Sequence, residues 1–376
     1  MRQRRIGLIG SGFMGKAHTI AFRAMPAVFP GLGEPVLEML ADADEDRARE
    51  AAGRLGYRRY TDDWRSLAND PAVDIVDICS PNHLHKEMAL AALEAGKHVY
   101  CEKPLALTGD DAAEMARAAE AAGVTTLVGF NYAKNPAAAL VREIIDSGEI
   151  GDIVHFRGTH NEDYLANPHV PFNWRCQREL AGAGALGDVG AHIIQMARFL
   201  VGPFAELCAD LRTVITERPD PGRTGAMRAV ENDDEANFLV RFAGGASGVI
   251  ETSRVAVGRK MGLTYEITGS RGAIAFDQER MSEVRLYTSG DARGRSGYRT
   301  LLLGPEHPDY GAFSPAPGHG LGYNDQKIVE VRELFAAIAE GRPASPDFRE
   351  AWEVARIMDA VERSARQRAW VATDGR

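Results

Sequence analysis

The sequence predicts an α/β protein in two parts. Residues 1–130 form a Rossmann-type, doubly wound parallel sheet, and residues 131–376 an α+β domain with a large, mostly antiparallel sheet. Three observations predict this. Up to residue 130, short apolar runs alternate with amphipathic segments, the β-α repetition of a parallel sheet. The run Gly10-Ser11-Gly12-Phe13-Met14-Gly15 follows the first apolar run at once and opens a helical pattern. Beyond Asn131, strand-like runs succeed one another with glycine turns between them, as antiparallel hairpins do.

Residues 6–9 read as a buried strand, and a helix follows through Met25. In a glycine pattern of this kind the first glycine allows the turn, the second admits a pyrophosphate and the third lets helix pack on strand. Gly10, Gly12, Phe13, Met14 and Gly15 are therefore cofactor-binding candidates, with the phosphates on the helix N-terminus. The next strand, 36–41, ends at Asp42. An acid there accepts hydrogen bonds from the ribose hydroxyls and repels a 2′-phosphate, which favours NAD over NADP. Asp42 lies 27 residues after Gly15, further than usual, because a Pro/Gly-rich loop from 25 to 35 intervenes. Asp42 has a second reading, as cap of the helix starting at Glu45, and the two roles can divide between Asp42 and Asp44.

A short helix over 63–68, a buried strand over 73–79 and a helix over 83–94 continue the alternation. Ser80, Asn82 and His85 stand at the carboxyl end of that strand. They either reach the cofactor or simply start the next helix. The strand 98–101 runs into Glu102-Lys103-Pro104, ahead of a helix over 110–122 and a strand over 125–130. Pro104 restricts the backbone of Lys103, and a lysine at a strand's carboxyl end points into the crevice where such folds hold ligands.

In the second part, a helix over 136–146 precedes strands near 153–159, 205–215, 237–242, 248–255, 265–268, 273–276, 284–287 and 299–303. Helices over 325–340 and 348–366 close the chain. The glycine-rich run 182–190 leads through Asp188 to His192, four apart at the start of a helix expected over 189–200. Asp188 alone reads as a cap and His192 alone as a core histidine. Together with Lys103 they form a polar trio able to handle one alcohol proton.

Composition bounds the function. The chain has 376 residues, enough for two domains, and a net charge of −9 without basic clusters, which argues against nucleic acid as a partner. Four cysteines without C-x-x-C spacing fit reduced, buried thiols. The apolar run after the basic start ends at Gly10, too short for a signal sequence, and no window suits a membrane helix. A soluble, cytoplasmic protein without membrane partners is expected. No metal is expected: His83 and His85 are two apart with no accompanying carboxylates. A broad sheet would leave one face open in a monomer, so a homo-oligomer, tetramer or dimer, is expected.

The glycine pattern, Glu102-Lys103-Pro104, and Asp188-x-x-x-His192 after its glycine-rich lead together resemble the glucose–fructose oxidoreductase and inositol dehydrogenase (Gfo/Idh/MocA) family over essentially the whole chain. Longer stretches, including 12–18, 80–85, 276–280, 304–310 and 315–325, resemble members acting on scyllo-inositol and L-glucose most, then those acting on levoglucosan. The resemblance implies an NAD-dependent dehydrogenase that oxidises a secondary alcohol of a cyclic polyol or sugar to a ketone. Levoglucosan or another pyranose 3-dehydrogenase reaction, or a non-catalytic NAD-sensing regulator, are its alternatives. It implies Lys103, Asp188 and His192 as the catalytic group, with Asn82, His85 and Glu102 lining the nicotinamide end. Asn131, Tyr132, Trp174, Arg175 and His319 become substrate-side candidates. Family members acting on inositol often carry a second acid after the histidine, where this chain has Ile193-Ile194-Gln195.

Overall fold

The computed structural model describes residues 3–292 and 294–374. The chain forms two compact units, one of residues 1–134 with 322–355, the other of residues 135–321 with 356–376. This differs from a single division at 130: the segment 322–355 returns to the first unit.

In the first unit the order along the chain is β1 (Gln3–Ile9), α1 (Phe13–Val28), β2 (Glu34–Ala41), α2 (Glu45–Leu55), β3 (Arg59–Thr61), α3 (Trp64–Asn69), β4 (Ile75–Ile78), α4 (His85–Glu94), β5 (His98–Cys101), α5 (Gly109–Ala122) and β6 (Thr126–Val128). The six strands form one sheet in the order β3-β2-β1-β4-β5-β6, every pair parallel. β4 is buried at every position, as a strand with helices on both faces must be. Between β1 and β4 the strand order reverses, and ligands of such sheets bind at the carboxyl ends there.

The returning segment has physical reasons to belong here. Its helix Tyr323–Glu340 packs along α1 and carries Lys327 and Glu330 into the unit, both fully buried. Farther on, the carbonyl of Pro346 accepts the Val128 amide at 2.9 Å, and the Phe348 amide donates to the Thr126 hydroxyl at 3.2 Å. These bonds cover the β6 edge.

The second unit contains β7 (Ile153–Asn161), β8 (Phe204–Arg212), β9 (Glu217–Pro219), β10 (Met227–Ala229), β11 (Glu235–Phe242), β12 (Ser247–Ser253), β13 (Gly262–Gly269), β14 (Gly272–Asp277), β15 (Glu283–Thr288), β16 (Arg299–Leu302) and β17 (Val371–Ala372). Nine of them form a sheet in the order β16-β15-β14-β13-β7-β12-β11-β8-β17, and β9 pairs with β10 separately. Every neighbouring pair in the nine-stranded sheet is antiparallel except β7 with β12. Those two strands are far apart in sequence, with helix Ala191–Leu200 in the crossover, which permits a parallel pair. Along β11 the alternation is strict: Ala236, Phe238, Val240 and Phe242 are buried and Asn237, Leu239 and Arg241 exposed. Helices Pro136–Asp146 and Ala191–Leu200 pack on each other and against the sheet. The helix expected over 189–200 begins as a π-type turn, Leu186–Gly190, so the spacing of Asp188 and His192 spans a change of helix type. Among the described residues, no helix is long and apolar enough to cross a membrane.

Candidate active site

The glycine loop has the shape the sequence predicts for a phosphate cradle. Gly10 stands at φ +96°, and a Cβ there would meet the Cys79 carbonyl oxygen at 2.7 Å. A Cβ on Gly15 would lie 2.1 Å from the Gly10 oxygen, so helix and loop meet without side chains between them. Around Gly12 there is open space. Gly12 supplies no side-chain cap to α1 and the helix carries no acid in its first turn. Its first N–H groups are thus left uncapped beside open space, an arrangement suited to an anion. Phe13 is 72% exposed beside this loop, its ring 5.8 Å from that of Tyr323, whose hydroxyl lies 3.4 Å from the Met14 sulfur.

The two acids after β2 divide their roles. Asp44 accepts the Arg47 amide at 2.9 Å and caps α2, a contact worth about 1 kcal/mol. Asp42 turns to the glycine loop and accepts the Ser11 amide at 2.9 Å and the Ser11 hydroxyl. Burial works against its charge, but the bonds from Ser11 and the Ala43 amide, with Arg47 nearby, hold its carboxyl below the ordinary range. The pyrophosphate cradle and a fixed anion at the end of β2 fit an adenine dinucleotide with a free ribose 2′-hydroxyl.

At the end of β4 the structure departs from expectation. His85 is fully buried, its two ring nitrogens 2.8 Å from the Pro104 carbonyl oxygen and 3.0 Å from that of Ser80. Burial depresses its pKa, and a neutral ring donates to one of these carbonyls and only abuts the other, so His85 is wedged between two loops rather than facing a ligand. Ser80 meets the ring through its carbonyl. Asn82 opens a short 3-10 turn, Asn82–Leu84, ahead of α4.

Lys103 is half-buried in the loop after β5, joined to Pro104 by a cis peptide. Its neighbour Glu102, expected beside the nicotinamide, points inward instead. Its Oε1 accepts from His18 Nε2 at 3.0 Å and Lys327 Nζ at 2.8 Å, and its Oε2 accepts the Lys103 amide at 3.1 Å. Lys327 and His18 overcome the burial penalty and keep the Glu102 carboxyl far below the usual range. His18 also donates to Asp77 at 2.8 Å. Burial alone would lower the His18 pKa, but the Asp77 charge and the bonds to Asp77 and Glu102 raise it to about 9. His18 Nδ1, Asp77 Oδ1 and Cys79 Sγ lie within 4.8 Å of one another. Because the imidazole nitrogen there bears the proton given to Asp77, the grouping is an ion pair beside a thiol rather than a ligand set.

Asn131 and Tyr132, both buried, sit in the turn Asn131–Lys134, where the Asn131 amide donates to Gln326 at 2.8 Å. That contact turns Asn131 toward the Tyr323–Glu340 helix, not toward open space.

In the second unit, Asp188 and Arg175 come together. Asp188 Oδ2 is 3.3 Å from Arg175 Nε and accepts the Tyr164 hydroxyl. The Arg175 guanidinium lies 4.5 Å over the Trp174 ring. Although Tyr164 is 37% exposed, desolvation of its hydroxyl and the Asp188 charge push that hydroxyl well above its ordinary pKa, so it stays a donor. His192 is 5% exposed, with its ring 5.5 Å from that of His160. The turn carrying Asp188 is pinned by Asp233, which accepts the amides of Gly184 at 2.7 Å and Leu186 at 2.8 Å. Asn232 and Arg254 both bond the Arg175 carbonyl, at 2.9 and 3.0 Å, and Arg254 pairs with Asp234 at 2.9 Å, fully buried. His319 is exposed, and its carbonyl accepts the Tyr310 hydroxyl.

Tyr164, His18, Lys327 and the Asn232-Asp233-Asp234 run were not among the expected site residues. Each is an ordinary polar residue in sequence whose partners lie far along the chain. The one available signal was the polar run Glu231-Asn232-Asp233-Asp234-Glu235 leading into β11.

Comparisons with known proteins identify the family. Residues 4–130 match the family described as "Oxidoreductase family, NAD-binding Rossmann fold", and residues 138–275 the "GFO/IDH/MocA C-terminal domain". Levoglucosan dehydrogenase of Pseudarthrobacter phenanthrenivorans is 45% identical, over 99% of this chain and 98% of that protein. Myo-inositol 2-dehydrogenase of Thermotoga maritima is 30% identical, over 90% and 89%. A solved structure, levoglucosan dehydrogenase in complex with NADH and levoglucosan, superposes with a TM-score of 0.96 at 45% identity, covering 99% of this chain and 100% of that one.

Proposed function

The chain belongs to the Gfo/Idh/MocA oxidoreductase family as an NAD-dependent sugar or polyol dehydrogenase, and within it we propose that the substrate is levoglucosan or a pyranose of similar shape, oxidised at one secondary alcohol to a ketone. The observation that carries the choice of substrate is 45% identity to levoglucosan dehydrogenase along nearly the full length of both chains. The sequence reading put scyllo-inositol and L-glucose first; the 30% identity of the inositol enzyme makes that the second reading.

NAD, when bound, takes up the hydride that leaves the alcohol carbon. The glycine loop and the α1 N-terminus would hold its phosphates, and Asp42 would hold the adenosine ribose and disfavour a 2′-phosphate. On the substrate side, His192 accepts the hydroxyl proton as general base. The Lys103 ammonium hydrogen-bonds the same oxygen and stabilises negative charge as the proton leaves. Asp188 supports the imidazolium electrostatically while Tyr164 and Arg175 fix its carboxylate. Arg175 on its Trp174 platform contacts the sugar. Proton and hydride leave from the O–H and C–H of one carbinol, so the product is the ketone.

The test is a panel of levoglucosan, scyllo-inositol, myo-inositol, L-glucose and D-glucose, each with NAD and with NADP, followed by NADH absorbance. Levoglucosan with NAD should give the highest kcat/KM. An inositol exceeding it by about tenfold, roughly 1.4 kcal/mol of transition-state binding, would assign the chain to the second reading.

A further inference from the structure

The loop that carries Lys103 is held from inside the first unit by five buried ionic side chains in alternating sign. Asp77 bonds His18 at 2.8 Å, His18 bonds Glu102 at 3.0 Å, Glu102 bonds Lys327 at 2.8 Å and Lys327 bonds Glu330 at 2.9 Å. Tyr100 closes the circuit. Its hydroxyl donates to Glu330 at 2.6 Å, and its ring stacks on His18 at 4.2 Å and 1°. The side chains of Asp77, His18, Lys327 and Glu330 are 0% exposed and that of Glu102 6%.

Burying so many ions is costly. Each loses several kcal/mol of hydration, and apolar replacements of equal volume are often at least as stable. Stability alone therefore does not account for the arrangement. Its geometry has a definite endpoint: one oxygen of Glu102 is clamped by two cations, and the other accepts the backbone N–H of Lys103. The Glu102 amide is tied to the Ile78 carbonyl at 2.9 Å, so the carboxylate and the loop are fixed relative to β4.

We infer that His18, Glu102 and Lys327 are positioning residues, which lock the Glu102 carboxylate so that it fixes the backbone of Lys103 and the direction of its ammonium. The inference rests on the reading of Lys103 as the group that stabilises the alcohol oxygen. Asp77 and Glu330 hold the two cations in place, and Tyr100 fills the space between them. Displacing the ammonium by about 1 Å is enough to cost on the order of 10²-fold in turnover.

A double-mutant cycle in the full-length protein tests this. Glu102→Gln is nearly isosteric, and it should lower kcat by roughly 10- to 100-fold while leaving NAD affinity, read by fluorescence titration, unchanged. In a Lys103→Met background the same substitution should alter the residual rate by less than about threefold, because the group it positions is gone. An equal loss in both backgrounds, or wild-type turnover in Glu102→Gln, overturns the inference. Should Glu102→Gln fail to give a cooperative thermal transition, His18→Gln takes its place in the cycle with the same two outcomes. Wild-type turnover in Lys103→Met is a different result: it would sink the reading of Lys103 itself.

Discussion

Replacing His18 by Gln removes from the buried circuit a cation whose charge depends on pH. The free imidazole titrates near 6.5, and in the folded protein the Asp77 and Glu102 carboxylates raise His18 to about 9. Between those values the native state keeps a proton that the unfolded chain has lost, so stability must fall as pH rises. The contribution is complete below the unfolded value and is lost as pH climbs through the folded one. Separating about 9 from 6.5 corresponds to about 3 kcal/mol, undiminished by solvent because the side chain is 0% exposed. The Glu102 and Lys327 pKa values move away from this window, one far down and the other far up, so they add no slope within it. The assay is equilibrium urea unfolding of wild type and His18→Gln from about pH 6 to about pH 10, following the transition of the first unit. The wild-type advantage should shrink by about 3 kcal/mol across the window. A difference between the two proteins that stays constant with pH would show that His18 is not held as a cation.

Four further outcomes are expected. His192→Ala should lower kcat by roughly 10²-fold or more with NAD affinity unchanged, the scale of a lost general base, as read in steady-state assays and NAD titrations. Tyr164→Phe removes one donor from Asp188 and should lower kcat about 3- to 10-fold, or about 0.7–1.4 kcal/mol, less than a whole bond to a charged group because Arg175 still holds the carboxylate. Asp42→Ser should raise the KM for NAD about tenfold and increase the relative use of NADP, measured as the ratio of the two kcat/KM values, because the fixed anion is gone. Leu239 and Val154, 49% and 52% exposed on the nine-stranded sheet, mark the face expected to pair between subunits. Leu239→Lys should lower the association state seen by sedimentation, and a monomeric wild type would remove that reading.

Much of the first unit was legible because its signals are local. A strand, three glycines and a helix within 28 residues form one physical unit, and the acid at the end of β2 needs only its place in the strand. The strand 98–101 ran where expected, and the helix 136–146 began at its proline. What was hidden depends on distance along the chain. Glu102 and its neighbours looked like a ligand-facing loop, yet its partners His18 and Lys327 lie 84 and 225 residues away. His85 was legible as a histidine at a strand end, but only the fold places both its nitrogens against main-chain carbonyls. The π-type turn at Asp188 differs from an α-helical turn by one residue of hydrogen-bond register, which apolar periodicity does not resolve. The return of 322–355 to the first unit rests on a buried lysine and glutamate that, by residue type, read as a solvated helix face.

Hydride transfer from a sugar carbinol to NAD, with Lys103 and His192 acting on the alcohol oxygen, is the proposed chemistry of this chain. Levoglucosan deuterated at its ring carbinol carbons, incubated with the protein and NAD, tests it most directly by mass analysis of the NADH formed. One deuterium per NADH, a ketone product and a primary isotope effect are expected, the isotope effect persisting at a much lower rate in Lys103→Met and His192→Ala. Unlabelled NADH, or sugar turnover without net NADH, would contradict it.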